Sequence, residues 1–362
     1  AIDAKKIHLA QELINAGAAL NDINGDKQNA LFKCIDQREP NLKLFKLLVQ
    51  KGLDIKKLNK DKENVLIVFC SNSKDLDFLK YLVSLGIDVN QQAKWDHTAL
   101  SKTLRRKWYE GADYLIAKGA DVSLAKDSLD RLTRDRNLKA LKILADNKVY
   151  KDRNHETAIM HAASSEDPKV IAILPQIINL FKESINQKNK QGETALFRTK
   201  NLKVIKLLVE AGAKVDVQAQ FKKSVLHYCC DAPIEVLKYY IQEKSLNINI
   251  LNKRKQSVLQ FACTRKNNFK VAKFLIENKA NISLLDNSNG SALSWALRHN
   301  KGADAEAYAN LFLNNNVDLK KGSLDIVAAC VGKNHKIFVV DNQNPLGEGV
   351  ECLAHSLGNN IV

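Results

Sequence analysis

Apolar residues recur along the chain in short segments at helical spacing, and most segments open with the same three-residue signature. The signature is a Thr, Ser or Asn, then a small residue, then Leu or Ile. Its copies are about 30 to 37 residues apart, with one gap of nearly twice that length. The eight copies are Asn29-Ala30-Leu31, Asn64-Val65-Leu66, Thr98-Ala99-Leu100, Thr157-Ala158-Ile159, Thr194-Ala195-Leu196, Ser224-Val225-Leu226, Ser257-Val258-Leu259 and Ser291-Ala292-Leu293. Such a period predicts an array of stacked units.

A second signature follows each triplet, in phase with it: an apolar pair at helical spacing, closed by Gly or Asn and a small residue. Examples end at Lys51-Gly52, Gly119-Ala120, Gly212-Ala213 and Asn278-Lys279-Ala280. A helix that ends in a left-handed C-cap explains the Gly, and Asn is the next-best occupant of that conformation. We therefore expect each unit to be turn, helix, turn, helix. Nine units follow a half unit that ends at Ala18, and they start near Asn24, Asn59, Ala93, Asp127, Asp152, Asn189, Ala219, Asn252 and Asp286.

This two-part motif resembles the ankyrin repeat family, whose pattern runs Asp-x-x-Gly-x-Thr-Pro-Leu-His-x-Ala-Ala and ends Leu-Leu-x-x-Gly-Ala. The best copies are residues 189–196 with Gly212-Ala213, and residues 157–163, although Ala or Val replaces the Pro of the pattern in every copy. The resemblance implies an all-α solenoid over residues 1–320, with residues 321–362 as an atypical C-terminal cap or the start of a further segment. It also implies protein recognition without catalysis and without a cofactor.

Three places depart from the period and predict local irregularity. The fourth unit, 127–151, is short and lacks the triplet, and the first helix of the sixth unit, 196–204, is shortened. In the fifth unit Pro168 suits the first turn of the second helix, whereas Pro175 should kink that helix.

Composition places the chain among folded proteins. Its apolar share is 45% and its charged share 27%, and no apolar run is long enough to span a membrane. The first residues lack the pattern of a secretory signal, and the seven cysteines have no framework spacing, so we expect reduced thiols and a cytoplasmic location. The Lys- and Asn-rich, Pro-poor composition is similar to that of secreted bacterial ankyrin effectors, which implies the host cell as an alternative location.

The repeat explains most of the residues that could suggest chemistry. Five cysteines occupy the small-residue positions of the first helices, where thiols pack as small apolar groups: Cys34, Cys70, Cys229, Cys230 and Cys263. The resemblance gives His227 a structural role that ties adjacent units, and His161 reads as a core histidine.

The charge is unbalanced, with 56 Lys and Arg against 40 Asp and Glu. Many of the cations fall at the turn tips between units and at the ends of first helices, where aromatic residues interrupt them. Stacking in register would form a cationic strip with Trp95, Trp108 and Phe221 interleaved. We expect a monomer that binds an acidic protein partner along this strip. The predicted binding residues are Lys94, Trp95, Arg105, Arg106, Phe221, Lys222, Lys223, Lys253, Arg254 and Lys255.

Four other interpretations stay open. A nucleic acid could bind the basic strip, although none of the common nucleic-acid-binding motifs is present. In the tail, Cys330, His335 and Asp341 could form a thiol hydrolase site, and Cys330, His335, Cys352 and His355 could bind zinc. The array could also target an enzymatic segment, either the tail or a part outside this chain.

Overall fold

The computed structural model describes residues 7–18, 20, 22–35, 40–265, 268–300 and 303–317. They fall into two compact parts, divided between Ser184 and Ile185. We call these parts the N-terminal and C-terminal units, and we call each successive turn, helix, turn, helix element a repeat. The described residues are helical, without β-strands, and three isolated antiparallel bridges flank turns. This confirms the all-α class.

The N-terminal unit begins with a single helix, α1 (Ile7–Asn15), and continues as helix pairs. The pairs are α2 (Ala30–Ile35) with α3 (Leu42–Gln50), α4 (Val65–Asn72) with α5 (Leu76–Ser84), α6 (Ala99–Arg105) with α7 (Tyr109–Ala117), α8 (Leu129–Arg134) with α9 (Leu138–Asp146), and α10 (Ala158–Ala163) with α11 (Pro168–Ala172) and α12 (Leu174–Leu180).

The C-terminal unit repeats the same pairing four times. A 3₁₀ turn (Ala195–Arg198) is followed by α13 (Leu202–Glu210), and the remaining pairs are α14 (Val225–Tyr228) with α15 (Ile234–Lys238), α16 (Val258–Cys263) with α17 (Phe269–Glu277), and α18 (Ala292–His299) with α19 (Ala303–Leu313). A π-helical turn, Tyr239–Glu243, extends α15.

Within each unit the pairs stack in sequence order as two layers. First helices contact first helices, as in α2 to α4 to α6 to α8 to α10 and in α14 to α16 to α18. Second helices likewise contact second helices, as in α5 to α7 and in α15 to α17 to α19. The apolar residues of both layers face each other and form a continuous core. The predicted turn, helix, turn, helix unit is confirmed.

The triplet signature marks the start of a first helix because its first residue caps that helix. Asn64 Oδ1 accepts a hydrogen bond from the Ile67 amide at 2.9 Å, and Thr98 Oγ1 accepts one from the Ser101 amide at 3.1 Å. These bonds satisfy amides that a helix start otherwise leaves without a partner. The small second residue and the Leu are buried in nearly every copy.

The second helices end in a left-handed residue, as the sequence predicts for Gly52, Gly119 and Gly212. The prediction that Asn takes this role where Gly is missing is wrong. At the end of α17 the left-handed residue is Lys279, with φ of 66°, and Asn278 comes before it. The Asn278 Nδ2 instead donates to the Phe274 carbonyl oxygen at 2.8 Å, so its amide is more useful at the C-cap than in the turn.

The predicted irregularities are present. The first helix of the sixth repeat is reduced to the 3₁₀ turn Ala195–Arg198. The second helix of the fifth repeat is broken at Ile173, between α11 and α12. Helix α11 starts at Pro168, and α12 carries Pro175 near its start. The fourth repeat keeps its two helices although the triplet is missing.

The five repeat-phased cysteines are buried and unpaired. Burial raises the pKa of Cys34 and Cys229 to about 12 and raises the pKa of the other three thiols as well. Buried protonated thiols are poor nucleophiles, so the packing interpretation is confirmed for these positions.

His227 has the predicted structural role. Its Nδ1 accepts from the Ser224 amide at 3.2 Å, and its Nε2 lies 3.1 Å from the Gln256 carbonyl oxygen of the next repeat. Burial lowers the pKa of His227, and the neutral ring can accept at one nitrogen while it donates at the other.

Candidate partner-binding surface

Five-residue turns, which we call the tips, connect successive repeats. The tips are residues 24–28, 59–63, 93–97 and 152–156 in the N-terminal unit, and residues 189–193, 219–223, 252–256 and 286–290 in the C-terminal unit. In all eight the amide of the first residue donates to the carbonyl oxygen of the fifth at 2.8 to 3.1 Å. Each tip is therefore a closed, defined turn that presents its central residues to solvent.

Backbone hydrogen bonds join tips that are neighbours within a unit. In the N-terminal unit the Lys94 amide donates to the Asp61 carbonyl oxygen at 2.8 Å. In the C-terminal unit the Gln220 amide donates to the Gln191 carbonyl oxygen and the Lys253 amide to that of Phe221, both at 2.7 Å. Within each unit the tips therefore line up side by side, as the predicted strip requires.

Two tips differ from the other six in their first residue and in their backbone. Six tips start with Asn or Asp, whose Oδ1 accepts from amides within the turn; Asn252 Oδ1, for example, accepts from Arg254 and Gln256 at 2.8 and 3.0 Å. The other two start with Ala93 and Ala219, which have no such acceptor. In these two tips a pair of successive residues adopts positive φ, where each of the others has one.

Each alanine tip presents a large aromatic side chain. Trp95 has φ of 64° and is 73% exposed, and Phe221 has φ of 59° and is 53% exposed. A bulky side chain in the left-handed region costs roughly 1–2 kcal/mol, and such strain concentrates at functional sites. Among the described tips, Trp95 and Phe221 are therefore the exposed aromatic residues, and each is the first residue of a positive-φ pair.

The tips of the C-terminal unit are strongly cationic. They hold six Lys or Arg residues and two carboxylates, those of Glu193 and Asp286, both of which are buried. Glu193 accepts from the Tyr228 hydroxyl at 2.6 Å, and Asp286 accepts from the Trp295 indole N–H at 2.9 Å. The carboxylates are thus engaged inside the unit. Their cationic neighbours at the surface are Lys190, Lys222, Lys223, Lys253, Arg254 and Lys255.

The tips of the N-terminal unit are balanced in charge. They hold five Lys or Arg residues and six Asp or Glu residues. Lys94 Nζ pairs with Asp61 Oδ1 at 2.9 Å, which lowers the pKa of Asp61. Arg153 Nη1 lies 3.5 Å from Asp96 Oδ2. The predicted strip is therefore not uniformly positive, because its N-terminal part carries its own counterions.

The other predicted residues of the N-terminal unit are partly buried. Arg105 Nη1 lies 3.4 Å from the His97 Nε2, and the buried Nη1 of Arg106 has no hydrogen-bond partner among the described residues. Trp108 does not belong to the strip, since it is only 5% exposed. Its ring packs against Phe69, with centroids 6.2 Å apart, and fills the space above Gly111.

Within the C-terminal unit the structure brings Phe221, Lys222 and Lys223 next to the 253–255 segment through the Lys253 to Phe221 backbone bond. The strip is continuous with a row of aromatic side chains that sequence reasoning missed. Tyr228, Phe261 and Trp295 each stand four residues after the capping Ser of a first helix, and all three are half-buried. Reading that one repeat position down the chain would have found them.

Some sequence interpretations concern residues outside the described part of the chain. Cys330, His335, Asp341, Cys352 and His355 all lie there, as does the proposed cap at residues 321–362. Within the described ranges no group of three or more His, Cys, Asp or Glu residues is arranged to hold a metal ion. No helix in those ranges has the length and apolarity that a bilayer crossing needs.

Comparison with known proteins agrees with the repeat geometry. A family model described as ankyrin repeats (3 copies) matches residues 37–126 and 226–323, together just over half of the chain. The ankyrin repeat protein FPV024 of Fowlpox virus (strain NVSL) is 26% identical over 193 residues. That alignment covers 52% of this chain and 30% of the viral protein, so the chain spans less than a third of that relative's length.

Among solved structures, the chain is similar to one titled Bd0816 predatory endopeptidase from Bdellovibrio bacteriovorus in complex with immunity protein Bd3460. The likeness covers 62% of this chain and all of the matched chain, at 21% identity with a TM-score of 0.33. This TM-score is too low to transfer fold or function. Ankyrin repeats generally mediate protein–protein interactions and are typically non-catalytic. The stacked helix pairs, their capped starts and the family match agree, and the chain belongs to the ankyrin repeat family.

Proposed function

We propose that the protein is a non-catalytic interaction module that binds an acidic protein segment through the tips of its C-terminal unit. The binding residues are Phe221, Lys222, Lys223, Lys253, Arg254 and Lys255. One observation carries this proposal: six cations share these tips with only two carboxylates, both buried and hydrogen-bonded inside the unit. Within these tips, all of which lie in the described ranges, no exposed carboxylate balances the cations, and a partner that supplies carboxylates complements them.

Phe221 gives this cationic surface an apolar anchor. Slightly more than half of its side chain is exposed, and its backbone is held in the strained turn by the bonds to the neighbouring tips. Aromatic residues and Arg are enriched at the hot spots of protein interfaces, and a buried aromatic side chain contributes a large apolar area. We expect Phe221 to contribute affinity and the surrounding cations to contribute encounter rate and selectivity.

Lys94, Trp95, Arg105 and Arg106 form a second, weaker patch on the N-terminal unit in this proposal. The pairing of Lys94 with Asp61 reduces its attraction for an external carboxylate, and the two arginines are partly buried. Trp95 is the part of this patch most available to a partner, because 73% of its side chain is exposed. Its contribution should therefore depend little on salt.

We also propose that the protein acts as a monomer in a reducing compartment such as the cytoplasm. The five described cysteines that are free and buried support this setting.

The test uses a fluorescein-labelled oligoglutamate as the acidic probe, with binding followed by fluorescence anisotropy at an ionic strength of about 0.15 M, where the Debye length is about 8 Å. The variant replaces Lys222, Lys253, Arg254 and Lys255 with Glu, four side chains that are all exposed. Each reversal exchanges an attraction of roughly 0.2–1 kcal/mol for a repulsion of similar size. We expect the affinity to fall at least about 15-fold, with an unchanged helical circular dichroism spectrum.

A matched control reverses four exposed lysines of the second helices in the same unit, which changes the net charge by the same amount: Lys203, Lys238, Lys270 and Lys273. If the tips are the binding surface, this control should weaken binding less than about fivefold, because charges beyond a Debye length are screened. Equal weakening by the two sets would show that only net charge attracts the probe, and the proposal would be wrong.

A further inference from the structure

The row of aromatic side chains beside the tips, which we call the aromatic column, consists of Tyr228, Phe261 and Trp295. The three residues occupy the same position in consecutive first helices, α14, α16 and α18, which contact one another in sequence order. In the N-terminal unit the same position holds Lys33, Val68, Lys102 and His161. The column is therefore a feature of the C-terminal unit alone among the described units.

The column adjoins the cationic tips directly. Lys223 Nζ lies 5.9 Å from the ring centroid of Tyr228 and 5.4 Å from that of Phe261. Two side-chain hydrogen bonds connect the column to the tips as well, from Tyr228 to Glu193 and from Trp295 to Asp286. Tips and column thus form one surface, with an apolar strip on the helices and cations along its edge.

The polar atoms of the column are already used inside the protein. Burial, together with the hydrogen bond to Glu193, raises the pKa of Tyr228 to about 12, so this hydroxyl stays protonated and donates to the carboxylate. The indole N–H of Trp295 is likewise taken up by Asp286. The remaining exposed parts of these side chains are apolar ring atoms, which suit the apolar side chains of a partner.

A cationic side chain lies over each ring of the column. Arg298 lies over the Trp295 ring at 5.9 Å, and His299 stacks on it with an interplanar angle of 27°. Lys223 covers a face of both Tyr228 and Phe261. Single-stranded nucleic acids bind aromatic platforms by stacking bases on open ring faces. Faces occupied by cations therefore favour a protein segment over a nucleic acid.

We propose that the partner segment is both acidic and apolar: its carboxylates meet the tip cations while its bulky apolar side chains pack along the aromatic column. This inference rests on the proposed function and specifies the partner's chemistry. It commits to one occupant, a protein segment in which Asp or Glu alternates with aromatic or large aliphatic residues. The column adds apolar contact area that a purely acidic chain cannot use.

The experiment compares three labelled probes on the full chain: oligoglutamate, a random copolymer of glutamate and tyrosine of the same length, and oligothymidylate. Binding is measured by anisotropy. We expect the copolymer to bind at least about tenfold more tightly than oligoglutamate, since burial of aromatic side chains accounts for much of the affinity at interface hot spots. Oligothymidylate should bind more weakly than the copolymer.

Two variants assign this preference to the column. Phe261→Ser removes a ring that makes no side-chain hydrogen bond among the described residues, and Tyr228→Gln keeps an N–H donor for Glu193. Each should lower the preference for the copolymer at least about threefold while the affinity for oligoglutamate stays within about twofold. The conservative control Phe261→Leu keeps apolar area and should keep the preference. Using two separate column variants keeps the test valid if one of them fails to fold.

The outcomes separate this inference from the proposed function. Equal affinity for the two acidic probes, both still dependent on the tip cations, would overturn the apolar part and leave the acidic-partner proposal standing. A copolymer preference that persists in both column variants would also overturn it. Tighter binding of oligothymidylate, lost on Phe261→Ser, would assign the column to base stacking instead.

Discussion

Replacing Lys279 with Gly should stabilise the protein, although Gly is normally a destabilising residue. Lys279 follows α17 with φ of 66°, and its amide donates to the Ile276 carbonyl oxygen at 2.9 Å. Gly212 makes the equivalent bond to Val209 after α13, at 3.0 Å and with φ of 97°. The two residues therefore occupy the same position in different repeats, and at Lys279 the backbone is strained.

The magnitude follows from two opposing terms. Relief of the left-handed strain at Lys279 gains about 1–2 kcal/mol, while the greater freedom of Gly in the unfolded chain costs about 0.4–1 kcal/mol. We expect a net gain of about 0.5–1 kcal/mol. Lys273, an exposed residue inside α17, provides the matched control. There the same exchange should cost about 1 kcal/mol through lost helix propensity.

The assay is equilibrium urea unfolding followed by far-ultraviolet circular dichroism, with both variants and the parent chain measured under one condition. We expect free-energy changes of opposite sign, so that the two urea midpoints lie on either side of the parent midpoint. Destabilisation of similar size by Lys279→Gly and Lys273→Gly would refute the assignment of Lys279 to the left-handed position.

Two further predictions concern packing. Gly111→Ala should destabilise the protein by about 1–3 kcal/mol in urea unfolding. Alanine has the better helix propensity, but the new Cβ would lie 2.6 Å from ring carbons of Trp108. In a Trp108→Leu background most of this loss should disappear, and an unchanged loss there would argue against the clash. In native protein at pH 8.5, mass spectrometry should find the buried thiols unmodified by iodoacetamide until urea unfolds the chain, because their raised pKa values keep them protonated; labelling at native conditions would contradict their burial. These thiols are Cys34, Cys70, Cys229, Cys230 and Cys263.

The unit boundaries could be predicted from sequence because the signal repeats. One triplet is weak, but eight in phase establish the start of nearly every first helix, and the structure explains the triplet by the capping bonds of residues such as Asn64 and Thr98. Local chemistry was also predictable where one residue dominates. Pro175 is such a case, since a proline removes a backbone donor wherever a helix contains it.

The local charge at the tips depends on contacts between neighbouring repeats. Phase places Lys94 at a tip, but its pairing with Asp61 joins residues 33 positions apart and depends on how side chains are oriented across neighbouring turns. The sign of the local charge at the N-terminal tips therefore follows from the stacking and could not be predicted from the count of lysines. At the C-terminal tips the excess of cations was large enough to be predicted directly.

Two aromatic assignments could have been improved from sequence. Trp108 precedes α7 and stands three residues before Gly111, a spacing at which a large ring can lie over a missing side chain on the same helix face. The aromatic column needed a comparison of one repeat position across units. The left-handed Lys279 was less accessible, because its neighbour Asn278 has the better intrinsic preference for that conformation.

Lysine footprinting tests most directly whether the C-terminal tips are the binding surface. The chain is acetylated with and without saturating oligoglutamate, and the modification of each lysine is quantified by mass spectrometry. We expect protection of Lys222, Lys253 and Lys255, and little change at Lys203 or Lys273 on the second helices. Protection of the second-helix lysines, or uniform protection of all lysines, would contradict it.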